Sequence, residues 1–195
     1  MPDPDDNSTR TRLLDAAAEM FYAEGVSVGV DALCRTAGVS KRSMYQLFGS
    51  KDELLAASLE RSVPGYLAAL LPTPETPADP VEQMLHVFRQ LEGVVADPQF
   101  RGCPYVGVAT EVKAPEHPVR VVARRFHDQL TEFFRDAALR AGATDPGLLS
   151  QQLTIVHDGT TARAVVQGGP TPGLALATAS ALLFAGGVIH DDART

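Results

Sequence analysis

The residues best placed to do chemistry crowd into one stretch, Lys41-Arg42-Ser43-Met44-Tyr45-Gln46, with Lys51 shortly behind. Neighbouring Lys and Arg side chains reach guanine O6 and N7 in a major groove or pair with phosphate. A serine hydroxyl serves bases and phosphates alike. Between Ala32 and Lys51 there is no Asp or Glu, and the charged residues, Arg35, Lys41, Arg42 and Lys51, are all positive. The whole chain carries a net charge of −7. A basic island on an acidic protein suits docking of one face onto a polyanion.

Other chemistries find little support. There is no glycine-rich phosphate loop, G-x-S-x-G elbow or Cys-x-x-Cys pair. His157-Asp158 can be drawn together with Cys103 as a nucleophile set, but any chain of 195 residues offers such triples. His86, His127 and His157 lack metal-ligand spacing. The expectation is a protein that is not an enzyme and uses neither metal nor cofactor. Cys34 and Cys103 read as two free thiols. The N-terminus is acidic and polar, unlike a secretion signal. The most apolar stretch, Leu174 to Ile189, is too short and too rich in small residues to span a bilayer. The expected location is the cytoplasm, with no membrane partner.

Helices position the basic stretch. Residues 1–7 read as a disordered arm. From Ser8 or Thr9, apolar residues recur at helical spacing (Leu13, Leu14, Ala16, Ala17, Met20, Phe21) as far as Gly25. A short helix, Gly29 to Ala37, turns inward Val30, Leu33, Cys34 and Ala37. Gly38 then makes a tight turn, Val39 points back to the core, and Ser40 caps a third helix over Lys41 to Leu47. Ser50-Lys51-Asp52-Glu53 reads as a capping box opening a fourth helix, which Pro64 should kink or break. Short helix, Ala-Gly-Val turn, short helix is the outline of a helix-turn-helix.

The resemblance then becomes specific. AGVSKRSMYQLFGSKDELL (Ala37–Leu55), preceded by LLDAAAEMFYAEG (Leu13–Gly25) and VDALCRTAGVS (Val30–Ser40), resembles the signature of TetR-family regulators over about the first sixty residues. The resemblance implies that Lys41, Arg42, Ser43, Tyr45 and Gln46 read DNA, with Tyr45 on phosphate or thymine and Lys51 as a phosphate clamp. Two departures stand out. Val28-Gly29 replaces the usual Thr or Ser cap of the second helix. Arg42 stands where the family often has Gly or Ala, which should alter base preference.

Further along, PTPETPADP (Pro72–Pro80) reads as a linker. Helices follow over Val81–Val95, Tyr105–Val112, Pro118 to just before Gly142, Asp145-Pro146 onward, and Gly173–Phe184. The eighth shows Leu149, Leu153, Val156, Thr160 and Ala164 in a stripe. The expected fold is all-α, about nine helices. It consists of a three-helix helix-turn-helix DNA-binding domain (8–50) and a helical ligand-binding and dimerisation domain (51–190), with 51–71 as connecting helix. RGCPYVGVATEV (Arg101–Val112) and HPVR (His117–Arg120) resemble one subgroup of the same family.

Candidate pocket walls are Met84, Phe88, Tyr105, Phe126, Leu130 and Phe133, with Thr154, His157, Asp158 and Thr161 as polar groups. Candidate dimer contacts are Leu153, Val156, Val165, Leu174, Ala177, Ala181 and Leu182, forming half of a four-helix bundle across a two-fold axis. The expected partners are a palindromic operator in double-stranded DNA, a second copy of the chain and a small apolar or amphipathic effector. The expected role is repression by occupancy, relieved by the effector. A ligand-insensitive regulator and an activator remain open alternatives.

Overall fold

A computed structural model describes residues 4–188; the first three residues and the last seven, including the predicted end of the second domain, lie outside it. The described residues form nine α-helices and no strand: α1 (Pro4–Glu24), α2 (Val30–Ala37), α3 (Lys41–Phe48), α4 (Lys51–Leu70), α5 (Pro80–Val95), α6 (Pro104–Glu111), α7 (Pro118–Arg140), α8 (Pro146–Gln167) and α9 (Leu174–Ala185). The all-α expectation holds. None of these helices is long and apolar enough to cross a membrane.

The chain divides into two compact units. Among the described residues, the first contains residues 4–63 together with Pro104–Arg125; the second contains Pro64–Cys103 and residues 126–188. Thus α4 and α7 each begin in the first unit and end in the second.

In the first unit α1, α2 and α3 pack on one another. Leu13, Leu14, Ala17 and Phe21 of α1 are buried, as are Leu33, Cys34 and Ala37 of α2 and Met44 and Phe48 of α3. Val39 is only half-buried. The α2–α3 turn needs Gly38, whose φ of +63° is strained for any side chain. Arg12 Nη1 donates to the Gly38 carbonyl at 3.4 Å.

Three local expectations are corrected. Helix α1 starts at Pro4, so residues 4–7 are helical rather than a disordered arm. Proline suits the first helical position. Helix α4 continues through Pro64 to Leu70. Proline removes one hydrogen bond, which the helix tolerates, although the division between the units falls at this residue. The capping box is half-formed. The Glu53 N–H donates to Ser50 Oγ at 3.1 Å, but the Ser50 N–H turns to the Phe48 carbonyl at 2.7 Å.

In the second unit α9 packs on α5 and α8, and α5 on α8. Its core takes Met84, Phe88 and Leu91 from α5, Phe126, Leu130 and Phe134 from α7, and Leu149 and Leu153 from α8. Phe88 and Phe134 stack with ring centroids 5.6 Å apart. Asp79 and Asp145 cap α5 and α8, each with a proline behind it in the first turn. The buried stripe of α8 differs from the predicted one: Leu149, Leu153, His157, Thr161 and Ala164 face inward, while Val156 and Thr160 are half-buried. Polar residues occupy core positions because their hydroxyls bond to their own helix, a satisfaction that apolar periodicity does not register.

Candidate nucleic-acid interface

Helix α3 presents two unlike faces. Met44 and Phe48 point into the core, and Lys41, Arg42, Tyr45 and Gln46 are exposed. Positions i, i+1, i+4 and i+5 lie on one side of a helix. These four side chains therefore share the outward face, Tyr45 with 47% of its surface exposed. Ser40 caps the helix, accepting the Ser43 N–H at 3.1 Å. The two hydroxyls of Ser40 and Ser43 are 2.9 Å apart, so the half-buried Ser43 is engaged at the cap.

Lys41 Nζ lies 2.6 Å from Asp31 Oδ1 on α2. The hydrogen bond to Asp31, and then its charge, push the Lys41 pKa up. Asp31 immediately precedes the acid-free window, and its position was the only sequence signal of this pairing. At the far end of α3, the Arg10 guanidinium lies 5.2 Å from the Phe48 ring centroid, a cation–π contact.

Lys51 is built into the loop between α1 and α2. Its Nζ donates to the Val26 carbonyl at 2.7 Å and the Val28 carbonyl at 3.2 Å. The other side of that loop is held from α6, where Glu111 Oε2 accepts the Val26 N–H at 3.0 Å. Gly25 has a φ of +80°, strained for any side chain, and a Cβ there would sit 2.8 Å from Glu111 Oε2, so that the carboxylate would have to shift. His117 Nε2 lies 3.1 Å from Asp52 Oδ2 near the start of α4. Neither Glu111 nor His117 can be linked to the basic stretch from sequence spacing.

The predicted pocket residues are divided. Tyr105 belongs to the first unit, where it is fully buried and its hydroxyl donates to the Leu59 carbonyl at 3.4 Å. Met84, Phe88, Phe126, Leu130, Thr154 and His157 are buried in the second unit, and Phe133 is half-buried. A surface cleft of about 560 Å³ in that unit, bordered by Thr131, Arg135, Asp145 and Gln151, has none of the predicted pocket residues in its wall.

The predicted dimer residues also differ in placement. Leu153 is fully buried in the core of its own unit, and Val156 and Leu182 are half-buried. Val165, Leu174, Ala177 and Ala181 are exposed. Ile155, Val166 and Phe184, not among the predicted dimer residues, are exposed apolar side chains as well, the last two 80% and 56% exposed. Cys34 and Cys103 are both buried, and neither is in a disulfide. Burial and then Asp31 push the Cys34 thiol up, outweighing Lys41.

Comparison with known proteins agrees with this geometry. Residues 13–58 match the family described as bacterial regulatory proteins, tetR family. The regulator SrpR of Pseudomonas putida is 46% identical over 52 residues, 26% of this chain and 24% of that protein. The transcriptional activator FasR of Mycolicibacterium smegmatis is 39% identical over 71 residues, 36% of this chain and 32% of that protein. The chain thus spans at most a third of these two relatives. A solved structure extends the likeness well beyond the first helices. The protein sav143 of Streptomyces avermitilis MA-4680, described as a tetr-transcriptional regulator, is 47% identical with a TM-score of 0.89. That match covers 93% of this chain and 99% of sav143. With helix-turn-helix, exposed basic face and full-length likeness in agreement, the chain belongs to the TetR family of bacterial transcriptional regulators and is not an enzyme.

Proposed function

We propose that the chain acts in the cytoplasm as a homodimeric repressor that binds a palindromic operator and leaves it when a small apolar or amphipathic effector binds. The carrying observation is the exposed quartet Lys41, Arg42, Tyr45 and Gln46 on α3, backed by buried Met44 and Phe48. Such a helix enters a major groove with its N-terminal residues against the bases. In this reading residues 8–50 read DNA, and residues 51–190 bind effector and pair the protomers.

Dimerisation is supported by apolar side chains left outside: Ile155, Val165 and Val166 on α8, and Leu174 and Phe184 on α9. A two-fold dimer presents two recognition helices and so favours an inverted repeat. An effector lowers DNA affinity by as much as it prefers the DNA-free conformation. Selection of bound sequences from random duplexes, with purified protein, tests the first half. An inverted repeat is expected, and selection of unrelated single sites would overturn it. Screening for compounds that release the selected operator tests the second.

A further inference from the structure

The inward stripe of α8 carries four polar residues: Ser150, Thr154, His157 and Thr161. The hydroxyls close on their own helix. Ser150 Oγ donates to the Gly147 carbonyl at 2.8 Å, Thr154 Oγ1 to the Ser150 carbonyl at 3.0 Å, and Thr161 Oγ1 to the Asp158 carbonyl at 2.9 Å. His157 differs. Its ring is 0% exposed, and Nδ1 lies 3.0 Å from Asp158 Oδ1. Its other nitrogen, Nε2, is buried with no hydrogen-bond partner among the described residues. Leaving such an atom unsatisfied costs about 1–3 kcal/mol, and native structures rarely do so without a reason.

The neighbours define what Nε2 needs. Asp158 Oδ1 also lies 3.0 Å from His127 Nε2. Burial pushes the Asp158 carboxyl up, but the hydrogen bonds from His127 and then His157 outweigh it and hold it at about 2. The carboxylate is therefore ionised and only accepts, so His157 Nδ1 carries a proton. Burying a charged ring is costly, and the His157 ring is fully buried. A neutral His157 with its proton on Nδ1 has a lone pair at Nε2. The ring lies 6.2 Å from that of Phe126, on whose other contacts Tyr66 sits edge-on at 5.3 Å. An aromatic body would meet these rings favourably, and the Asp158 charge repels an anion. The described residues hold no cluster suited to a metal ion.

We propose that His157 Nε2 anchors a neutral ligand of the phenol class, accepting its hydroxyl proton while the ring packs among the aromatic side chains around Phe126. The proposal rests on the effector reading above and names the chemical class of that effector.

The test uses full-length protein without DNA, labelled with ¹⁵N-histidine, and three probes: 4-ethylphenol, ethylbenzene and 4-ethylbenzoate. In the ligand-free protein the His157 ring is expected as the neutral tautomer with its proton on Nδ1. Adding 4-ethylphenol should move the Nε2 resonance upfield, and ethylbenzene should not. Calorimetry should give at least tenfold weaker binding for ethylbenzene and the benzoate. His157→Phe should erase the preference for the phenol, and His157→Gln, which retains an acceptor, should keep part of it. A ligand-free ring protonated at Nε2 overturns the proposal, as does a phenol that leaves Nε2 unmoved. Because no variant is needed for the resonance measurement, misfolding of a substituted protein does not obscure the result. Release of operator by a compound that leaves Nε2 unchanged would sink this proposal and keep the effector reading. A phenol that moves Nε2 without weakening operator binding would support the site and sink that reading.

Discussion

Glu111 accepts the backbone N–H of Val26 at 3.0 Å, across 85 residues of sequence. The carbonyl of the same residue accepts from Lys51. One loop residue is thus gripped by an acid from α6 and a base from α4, and the loop leads directly into α2. Glu111→Ala should loosen the entry to the helix-turn-helix and weaken operator binding about three- to tenfold while preserving sequence preference. Gly25→Ala should cost about 1–2 kcal/mol of stability, from the left-handed backbone and the Glu111 collision together. In the Glu111→Ala background that cost should fall. Chemical denaturation of the four proteins of the cycle measures it, and equal costs in both backgrounds would remove the steric contribution.

Arg42 and Lys51 should separate by what they change. Arg42 is exposed on the outward face of α3, so Arg42→Ala should shift base preference at one position of each half-site. Lys51→Ala strands two loop carbonyls and should weaken binding to every sequence, by about 1–2 kcal/mol. A binding-site selection on both variants decides this; equal loss of selectivity would contradict the division.

Asp31 places a negative charge beside the reading face. Asp31→Asn should raise operator affinity about threefold to tenfold at low salt, and steepen its salt dependence by removing local repulsion. Folding stability should barely change, because the pair with Lys41 is exposed and screened by solvent. Titration at several salt concentrations checks it, and a fall in affinity would mean that Asp31 is needed to aim Lys41.

Stability should depend on Asp158 in acid. Its folded carboxyl titrates at about 2, below its ordinary value of 3.8. The stabilisation is therefore complete above about pH 4 and is lost as pH falls towards 2. With the group about a third exposed, this amounts to about 1–2 kcal/mol after screening. Comparing acid unfolding of the protein with that of Asp158→Asn should show the difference at pH 5 and not at pH 2.

Phe184 and Val166 should report on assembly. Phe184→Glu or Val166→Glu adds a charge to an exposed apolar side chain, so each protomer should stay folded. Dimer dissociation should become about a hundredfold easier. Sedimentation of the variants at micromolar concentration measures this, and unchanged mass would place the interface elsewhere.

The helix-turn-helix was readable because local signals mark it: Ser40 and Ser50 cap its helices and Gly38 makes its turn, all within a few residues. Interactions between helices were not. Asp31 meets Lys41 only once α2 and α3 are packed, and no pattern in the chain ties Glu111 to Val26. The inner face of α8 was misjudged because Thr161 and His157 look like surface residues by hydropathy, although Thr161 closes on its own backbone. Pro64 was overweighted: one missing donor does not end a helix of twenty residues.

The two buried thiols have a practical corollary. Cys34 lies in the first unit and Cys103 in the second, and both are buried in the folded protein. An alkylating reagent can therefore modify each only when its surroundings open, so the two labelling rates time the opening of each unit separately. Mass spectrometry of tryptic fragments then distinguishes the breathing of the first unit from that of the second in one and the same protein, with or without DNA.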